Sequence, residues 1–303
     1  MSDGPLPERS APPPEPADFD AFWRTTREEL TRAPLAWRVH RRYDDPGLDR
    51  WVEELSFDSS TGERAFAWVT YQREGQPTRG MVVSHGYQGR ADGPDEHVPV
   101  PYAAKIFPCA PGLPRSLSAA IPAVTAEHVL HGISSRDTYV HRFCVADIWR
   151  AASVLLERFP GIEQLDYSGG SFGGGIGALA LPWDDRFRRA HLSLPSFGHH
   201  PLRLRVPCTG SGEAVRHRVA REPELRTVLG YFDAATAATR IRIPTFVSVA
   251  RRDSAVPPVG QFAVYHALGG PKRLYLLSAG HTTYPGQASE LAARDRELAT
   301  FFA

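Results

Sequence analysis

The chain has 303 residues, of which 42% are hydrophobic and 23% are charged. This length and composition are sufficient for one large α/β core or two small domains of an ordinary globular protein. The 35 basic and 34 acidic residues are scattered along the chain and leave a formal net charge of +1, so no broad field favours nucleic acid or an anionic membrane. We expect neither as a partner.

The cysteines and the first residues bear on the cellular compartment. The chain has three cysteines, Cys109, Cys144 and Cys208, and no C-x-x-C pair. An odd number of unpaired cysteines fits neither a disulfide framework nor a zinc site. Residues 1–16 are rich in proline and contain no apolar segment, so we predict a flexible extension rather than a signal peptide. The chain contains no asparagine and hence no glycosylation sequon, and no run approaches the roughly 18 apolar residues of a membrane span. These observations predict a cytoplasmic protein.

The first predicted elements are a helix and a hairpin. Asp18 is placed to cap the helix, whose apolar residues fall near helical spacing and form one face: Phe19, Phe22, Trp23 and Leu30. Residues 55–71 mix β-branched, aromatic and polar residues around a turn-prone Ser-Ser-Thr-Gly stretch, as a hairpin does. We expect the helix to dock on the body of the protein.

The rest of the chain alternates between predicted strands and helices. A long irregular, proline-rich connection is predicted over 99–122, and a mostly helical insertion over 198–240. The remaining elements are strands at 81–84, 105–107, 162–168, 190–194, 245–250 and 273–277, and helices at 138–159, 173–181, 259–268 and 288–302. Such alternation predicts a mostly parallel sheet with helices on both faces. Residues 17–303 are therefore expected to form one α/β domain.

Ser171 stands at the join between a predicted strand and a predicted helix. It lies in the run Gly-Gly-Ser-Phe-Gly at 169–173, which matches the pattern G-x-S-x-G of a nucleophile elbow. A nucleophile on such a sharp turn takes a strained backbone, so its neighbours must be small, and the helix N-terminus supplies an aligned amide. Gly169 and Gly173 meet that need. Ser171 is therefore the candidate nucleophile.

Other interpretations of this glycine-rich turn have weaker support. No lysine follows the glycines, so the P-loop interpretation fails. The spacing of Gly173, Gly175 and Ala178 loosely matches a dinucleotide fingerprint, but it begins inside the predicted helix and no acidic residue follows about 20 positions on. A merely structural turn stays open, because a bare G-x-S-x-G pattern is frequent by chance.

A serine nucleophile needs a base, and the base needs an orienting carboxylate. Asp253 and His281 each follow a predicted strand, and they come after Ser171 in the chain order of the α/β-hydrolase fold. Taken singly, Asp253 is equally consistent with a loop carboxylate paired to a neighbouring arginine, and His281 is one of twelve histidines. Together, their order, spacing and placement at strand ends predict a triad of Ser171, Asp253 and His281.

Acyl transfer also needs backbone amides that bind the oxyanion of the tetrahedral intermediate. Phe172, directly after the candidate nucleophile, would supply one amide. Tyr87, in the loop after the strand at 81–84, would supply the other. His85 lies in the same loop and is open to a catalytic interpretation; we favour a role in shaping the loop beside these amides.

The chain resembles the acetyl xylan esterase and cephalosporin C deacetylase family of carbohydrate esterases over almost its whole length. The likeness is carried by these segments: 16–23 (Pro-Ala-Asp-Phe-Asp-Ala-Phe-Trp), 85–87 (His-Gly-Tyr), 137–139 (Asp-Thr-Tyr), 169–175, 231–233 (Tyr-Phe-Asp), 243–244 (Ile-Pro), Asp253 with 257–258 (Pro-Pro), and 280–281 (Gly-His). The resemblance implies the same triad and the same oxyanion amides. It implies that the protein removes small acyl groups, mainly acetyl, from sugars or cephalosporin-like compounds. It also implies that no metal or cofactor takes part. It also implies a homo-oligomer, because members commonly form closed assemblies, often hexamers.

The chain departs from the family pattern at two places. Members typically carry glutamine where this chain has Phe172, and an Arg-Gly-Gln motif where residues 107–114 read Phe-Pro-Cys-Ala-Pro-Gly-Leu-Pro. Whether Phe172, Phe197 and Tyr284 line an acyl pocket or belong to the core is open. We therefore predict a serine esterase of short-chain acyl esters. The alternatives are a hydrolase of the same fold acting on another ester, a lactone or a peptide, and a non-catalytic binding protein.

Overall fold

A nine-stranded sheet forms the centre of the molecule, with strand order β1-β2-β3-β5-β4-β6-β7-β8-β9. The structure is a computed structural model that describes residues 7, 8, 10–96, 98, 100 and 102–303. The strands are β1 (Arg38–Asp45), β2 (Arg50–Asp58), β3 (Arg64–Tyr71), β4 (Arg79–Ser84), β5 (Ala103–Pro108), β6 (Gln164–Gly170), β7 (Phe187–Ser193), β8 (Thr245–Ala250) and β9 (Lys272–Leu277). The six strands from β4 to β9 pair in parallel with one another, and β1 to β3 form an antiparallel extension that joins at β5. The predicted mostly parallel sheet is confirmed.

Helices cover both faces of this sheet, as predicted. They are α1 (Phe19–Thr31), α2 (Thr125–His128), α3 (Val140–Arg158), α4 (Phe172–Ala180), α5 (His200–Arg203), α6 (Ser211–Arg221), α7 (Leu225–Tyr231), α8 (Ala234–Ala238), α9 (Pro258–Ala267) and α10 (Gln287–Phe302). Successive side chains of a strand point to opposite faces. Val82 accordingly packs in the apolar cluster that contains residues of α1, α3 and α4, whereas Met81 and Val83 pack in the cluster that contains residues of α10.

The remaining predicted elements agree with the structure except at a few places. The hairpin at 55–71 is confirmed as β2 and β3, but the preceding strand β1 was not predicted. The insertion at 198–240 contains four short helices, α5 to α8. Asp18 does not cap α1 with its side chain; its carboxylate instead accepts hydrogen bonds from the Tyr231 hydroxyl at 2.5 Å and from Arg136 at 2.6 Å. These bonds join the start of α1 to α7 and to the loop before α3.

The segment before α1 makes contacts with the body of the protein. His199 Nε2 donates a hydrogen bond to the carbonyl of Ala11 at 2.9 Å, and Glu15 forms a salt bridge with Arg240 at 2.8 Å. This part was predicted to be a flexible extension, whereas residues 10–16 lie against the insertion; residues 1–6 and 9 lie outside the described residues. Within the part of the chain that the structure describes, no helix is long and apolar enough to cross a membrane.

Candidate active site

Ser171 occupies a sharp turn between β6 and α4. Its backbone has φ +54° and ψ −112°, a conformation that L-residues rarely adopt and that stores strain at functional sites. The turn is fixed by two hydrogen bonds: the Ser171 amide donates to the carbonyl of Ser193 at 2.8 Å, and the Gly173 amide donates to the carbonyl of His85 at 3.0 Å. These bonds anchor the turn to the ends of β7 and β4.

The residues two positions before and two positions after Ser171 must be glycine for steric reasons. A Cβ on Gly169 would lie 2.5 Å from the carbonyl oxygen of Gly173, and a Cβ on Gly173 would lie 2.8 Å from the carbonyl oxygen of His85. Both distances are far below a van der Waals contact, and backbone atoms cannot move aside cheaply. The predicted elbow geometry is therefore present at this position.

A chain of hydrogen bonds joins the three residues of the predicted triad. Ser171 Oγ lies 2.9 Å from His281 Nε2, and His281 Nδ1 lies 2.7 Å from Asp253 Oδ2. The Asp253 side chain is fully buried, while 26% of the His281 side chain is exposed. The structure brings them together because β6, β8 and β9 are parallel and end at the same edge of the sheet.

Close backbone packing holds Asp253 and His281 in register. The two loops form a short bridge between Asp253 and Gly280, and the Gly280 amide donates to the carbonyl of Arg252 at 2.8 Å. A Cβ on Gly280 would lie only 2.3 Å from Asp253 Oδ2. The residue before the histidine must therefore be glycine if the carboxylate is to reach the imidazole.

Gln261 is a further site residue, which the sequence did not reveal. Its side-chain amide donates to Asp253 Oδ2 at 3.0 Å and to the carbonyl of Val256 at 2.7 Å, while its Oε1 accepts from the Ala250 amide at 2.8 Å. The other carboxylate oxygen accepts from the amides of Ala255 and Val256, each at 2.9 Å. Together with His281 Nδ1, these groups make four donors that fix the Asp253 carboxylate. A glutamine on the buried face of α9, eight residues after the acid, is the signal that could have identified it.

Tyr87 and Phe172 are placed beside Ser171 by the loop after β4 and by α4. A Cβ on Gly86 would lie 3.9 Å from Ser171 Cβ, so this loop passes directly next to the serine. The amide of Phe172 is the first of α4 and has no acceptor within its own helix. Their function as oxyanion donors stays a prediction.

The side chain of Phe172 points away from solvent into a group of rings that we call the aromatic-histidine cluster. The cluster consists of Tyr87, His128, His141, Phe172 and Phe197. Phe172 is 1% exposed, and its ring centroid lies 4.4 Å from that of Tyr87. Phe172 and Phe197 therefore belong to the core and do not line an acyl pocket, two possibilities that the sequence left open.

Hydrogen bonds fix the tautomers of the two cluster histidines. His128 Nε2 faces the carbonyl of Pro111 at 2.9 Å and must carry the proton, so its Nδ1 accepts from the Tyr87 hydroxyl at 3.1 Å. The hydroxyl has one proton, so it must accept from His141 Nε2, also at 3.1 Å. Burial lowers the pKa of both imidazoles, that of His141 well below its ordinary value. Both histidines are thus neutral.

His85 uses both ring nitrogens on backbone groups. Its Nδ1 donates to the carbonyl of Gly86 at 2.7 Å, and its Nε2 accepts from the Ala110 amide at 3.0 Å. Burial lowers the pKa of His85 to about 4, so it is uncharged near neutral pH. These contacts agree with a loop-shaping role and leave no ring nitrogen for proton transfer.

Open space lies on two sides of the Ser171–His281–Asp253 chain. A cavity of about 320 Å³ extends from Ser171. Besides Ser171, its polar lining comprises Ser84, His85, Arg90, Asp95, Ser168, His191, Ser193 and Arg294. A second, more open space of about 550 Å³ lies beside Asp253 and includes Tyr284. Among the residues that the structure describes, no group of three or more His, Cys, Asp or Glu side chains is arranged to hold a metal ion.

Comparisons with known proteins identify the family of this chain. The family model described as acetyl xylan esterase (AXE1) matches residues 6–292. The chain belongs to the acetyl xylan esterase family, a family of carboxylic ester hydrolases. A curated relative, the acetyl esterase Axe7A of Xylanibacter ruminicola, is 20% identical over 275 residues. The alignment covers 85% of this chain but only 61% of that relative's length.

Solved structures of acetyl xylan esterases share the fold. The enzyme from Thermoanaerobacterium sp. superimposes with a TM-score of 0.80 at 19% identity, covering 97% of each chain. The enzyme from Paenibacillus sp. R4 gives a TM-score of 0.77 at 22% identity, covering 96% of each chain. The predicted α/β-hydrolase fold is thereby confirmed.

Proposed function

We propose that this protein is a serine esterase that removes short acyl groups, mainly acetyl, from hydroxylated small molecules such as acetylated sugars. The observation that carries the proposal is the continuous hydrogen-bonded chain from Ser171 Oγ through His281 to the buried Asp253, at 2.9 and 2.7 Å. A serine hydroxyl within hydrogen-bond reach of an imidazole that is itself oriented by a carboxylate is the arrangement required for nucleophilic acyl transfer.

The reaction proceeds in two steps. His281 Nε2 takes the proton of Ser171 as Oγ attacks the ester carbonyl, while Asp253 holds the other ring nitrogen and stabilises the imidazolium. The amides of Tyr87 and Phe172 bind the oxyanion. His281 then gives the proton to the leaving alcohol oxygen, which leaves an acyl-serine. In the second step water loses a proton to His281 as it attacks the acyl-serine, and His281 returns that proton to Ser171 Oγ as the acid is released.

The shape and polarity of the site support a small acyl group on a polar alcohol. The cavity at Ser171 is lined partly by serine hydroxyls and charged groups and partly by glycines and a leucine. A long alkyl chain would remove the hydration of the polar groups without compensation. Phe172 and Phe197, which would be natural walls of an apolar acyl pocket, are instead buried in the aromatic-histidine cluster. Cephalosporin-like acetyl esters are included in the proposal because they also place an acetyl group on a polar framework.

A cytoplasmic location and a homo-oligomeric state also belong to the proposal. Cys109, Cys144 and Cys208 are all free thiols, and the first two are buried, which is compatible with a reducing compartment. The homo-oligomeric state rests on the resemblance to the carbohydrate esterase family, whose members commonly form closed assemblies.

A hydrolysis profile tests the proposed function. We expect kcat/KM to fall steeply from acetyl to butyryl to octanoyl esters of one chromogenic alcohol, with acetylated xylo-oligosaccharides and cephalosporin C deacetylated at rates comparable to the acetyl ester. A preference for octanoyl esters, or cleavage of an acylated peptide faster than of any ester, would overturn the substrate class. Absence of turnover on every substrate would favour the non-catalytic alternative.

A further inference from the structure

Arg203 is a buried cation without a salt-bridge partner among the described residues. It is 4% exposed, and its Nε has no hydrogen-bond partner. The guanidinium makes one weak side-chain contact, from Nη2 to His200 Nδ1 at 3.4 Å. A buried charge that is left unpaired is costly, so this arrangement calls for a compensating group.

The nearby carboxylates do not supply that compensation, because they are occupied elsewhere. Asp233 accepts hydrogen bonds from four backbone amides, at the start of α5 and at the start of α8. Glu213 accepts from the Cys208 amide and forms a salt bridge with Arg216. Burial lowers the pKa of the Arg203 guanidinium, and these two acids only partly offset that effect from a distance.

The N-terminus of α6 lies directly against the same guanidinium. A Cβ on Gly212 would lie 2.3 Å from Arg203 Nη1, so only glycine permits this approach. The cap residue Gly210 has no side chain to accept from the first turn, and in the described chain no acceptor is found for the amides of Ser211 and Gly212. Helix N-termini attract anions because these free amides and the helix dipole point the same way.

A small cavity lies beside these groups and is lined by both of them. Its volume is about 20 Å³, and it is lined by Arg203, Ser211 and Gly212 together with Ser196, Phe197 and residues 255–257. That volume holds about one water-sized particle, which is too little for a carboxylate or a phosphate. A cation, free helix amides and hydroxyl-bearing residues thus surround a space of monatomic size.

We propose that this cavity binds one monatomic anion, with chloride as the candidate. The ion would accept hydrogen bonds from the Arg203 guanidinium and the first amides of α6. It would also tie the insertion to the two loops that support the active site, since Ser196 donates its amide to the carbonyl of Ser171 at 3.1 Å and the amides of Ala255 and Val256 hold Asp253. The competing occupant is a single water molecule.

The first test is the melting temperature of the intact protein in sodium chloride and in sodium gluconate at equal ionic strength, because gluconate is too large for the cavity. Chloride at tenfold its Kd should raise Tm by roughly 2–4 °C, and above Kd the rise should keep growing with the logarithm of the chloride concentration. Arg203→Met should abolish this difference. Arg205→Met is the matched control, because Arg205 is exposed two residues further on, and it should keep the difference. Equal Tm values in both salts for the wild type, or an unchanged difference in Arg203→Met, would overturn the proposal.

A second test does not depend on the folding of any variant. Crystals of the wild-type protein soaked in sodium bromide should show an anomalous peak within hydrogen-bond distance of Arg203 and of the Ser211 and Gly212 amides. A water molecule at that position in place of bromide would refute the anion site. Both readouts are independent of esterase activity, so they separate this proposal from the proposed function.

Discussion

Two regions on opposite sides of Ser171 each pair histidine with a hydroxyl group. On the solvent side, His281 contacts Ser171 Oγ and is backed by the buried carboxylate of Asp253. On the core side, the Tyr87 hydroxyl lies between His128 and His141, and neither imidazole has a carboxylate partner among the described residues. The difference teaches what makes such a pair reactive. The carboxylate of Asp253 would stabilise the imidazolium that forms on His281 during turnover, and the two core-side imidazoles lack such a partner among the described residues.

The largest effect is expected from breaking the solvent-side pair. Ser171→Ala and His281→Ala should each lose most of about 10⁶ in kcat, and the double variant should be little worse, because the residues of a triad act as a unit. Steady-state kinetics on an acetyl ester measure the loss of kcat in each variant, and circular dichroism verifies that the variants are folded. Losses that multiply in the double variant would show that the two residues act independently.

Replacing Phe172 by glutamine, the residue typical of related esterases, tests the core side. The glutamine side chain would take the place of a ring that is surrounded by other rings, in a residue that is 1% exposed. We therefore expect a loss of about 3 kcal/mol in the free energy of unfolding. The backbone amide of residue 172 is retained, so kcat should stay within about tenfold of the wild type. Urea unfolding and acetyl ester kinetics are the measurements. Unchanged stability with a large loss of kcat would instead assign the Phe172 ring a direct function toward substrate.

The Tyr87→Phe variant removes the hydroxyl that joins the two cluster histidines. Two buried ring nitrogens would lose their partner, at a cost of about 1–3 kcal/mol in the free energy of unfolding. Tyr275→Phe is the matched control, because among the described residues its hydroxyl bonds only to the backbone carbonyl of Glu290, and its loss should cost less. Urea unfolding of both variants measures the difference. Equal losses would show that the His128–Tyr87–His141 contacts add nothing to stability.

The smallest expected effect is a change in how the free energy of unfolding depends on pH. Burial lowers the pKa of His128 and His141 in the folded state, whereas histidines of the unfolded chain take up protons below about pH 6.5. Below that pH the unfolded state binds more protons, so acidification must favour unfolding, by up to about 1.4 kcal/mol per pH unit for each histidine. His141→Gln should reduce the slope of unfolding free energy between about pH 6.5 and pH 5. An identical slope in this variant would mean that His141 is not held neutral.

The meeting of Ser171, Asp253 and His281 at one edge of the sheet could be predicted from the sequence because it depends on topology; their catalytic function stays a prediction. Ser171, Asp253 and His281 follow parallel strands, and parallel strands place their carboxyl ends at one edge. Gln261 and the aromatic-histidine cluster were missed because they arise from packing between distant segments; Tyr87 and His141 are 54 positions apart. Strand β1 was missed because its alternation is masked by charge: six of its eight residues are exposed, and most of these are charged or polar.

The most direct test of the central claim is covalent labelling with a fluorophosphonate, followed by peptide mass spectrometry. We predict that the wild-type protein is labelled stoichiometrically on Ser171 alone, that His281→Ala is labelled far more slowly, and that Ser171→Ala is not labelled. Rapid labelling of another serine, or equal labelling rates in the wild type and His281→Ala, would contradict an activated nucleophile at Ser171.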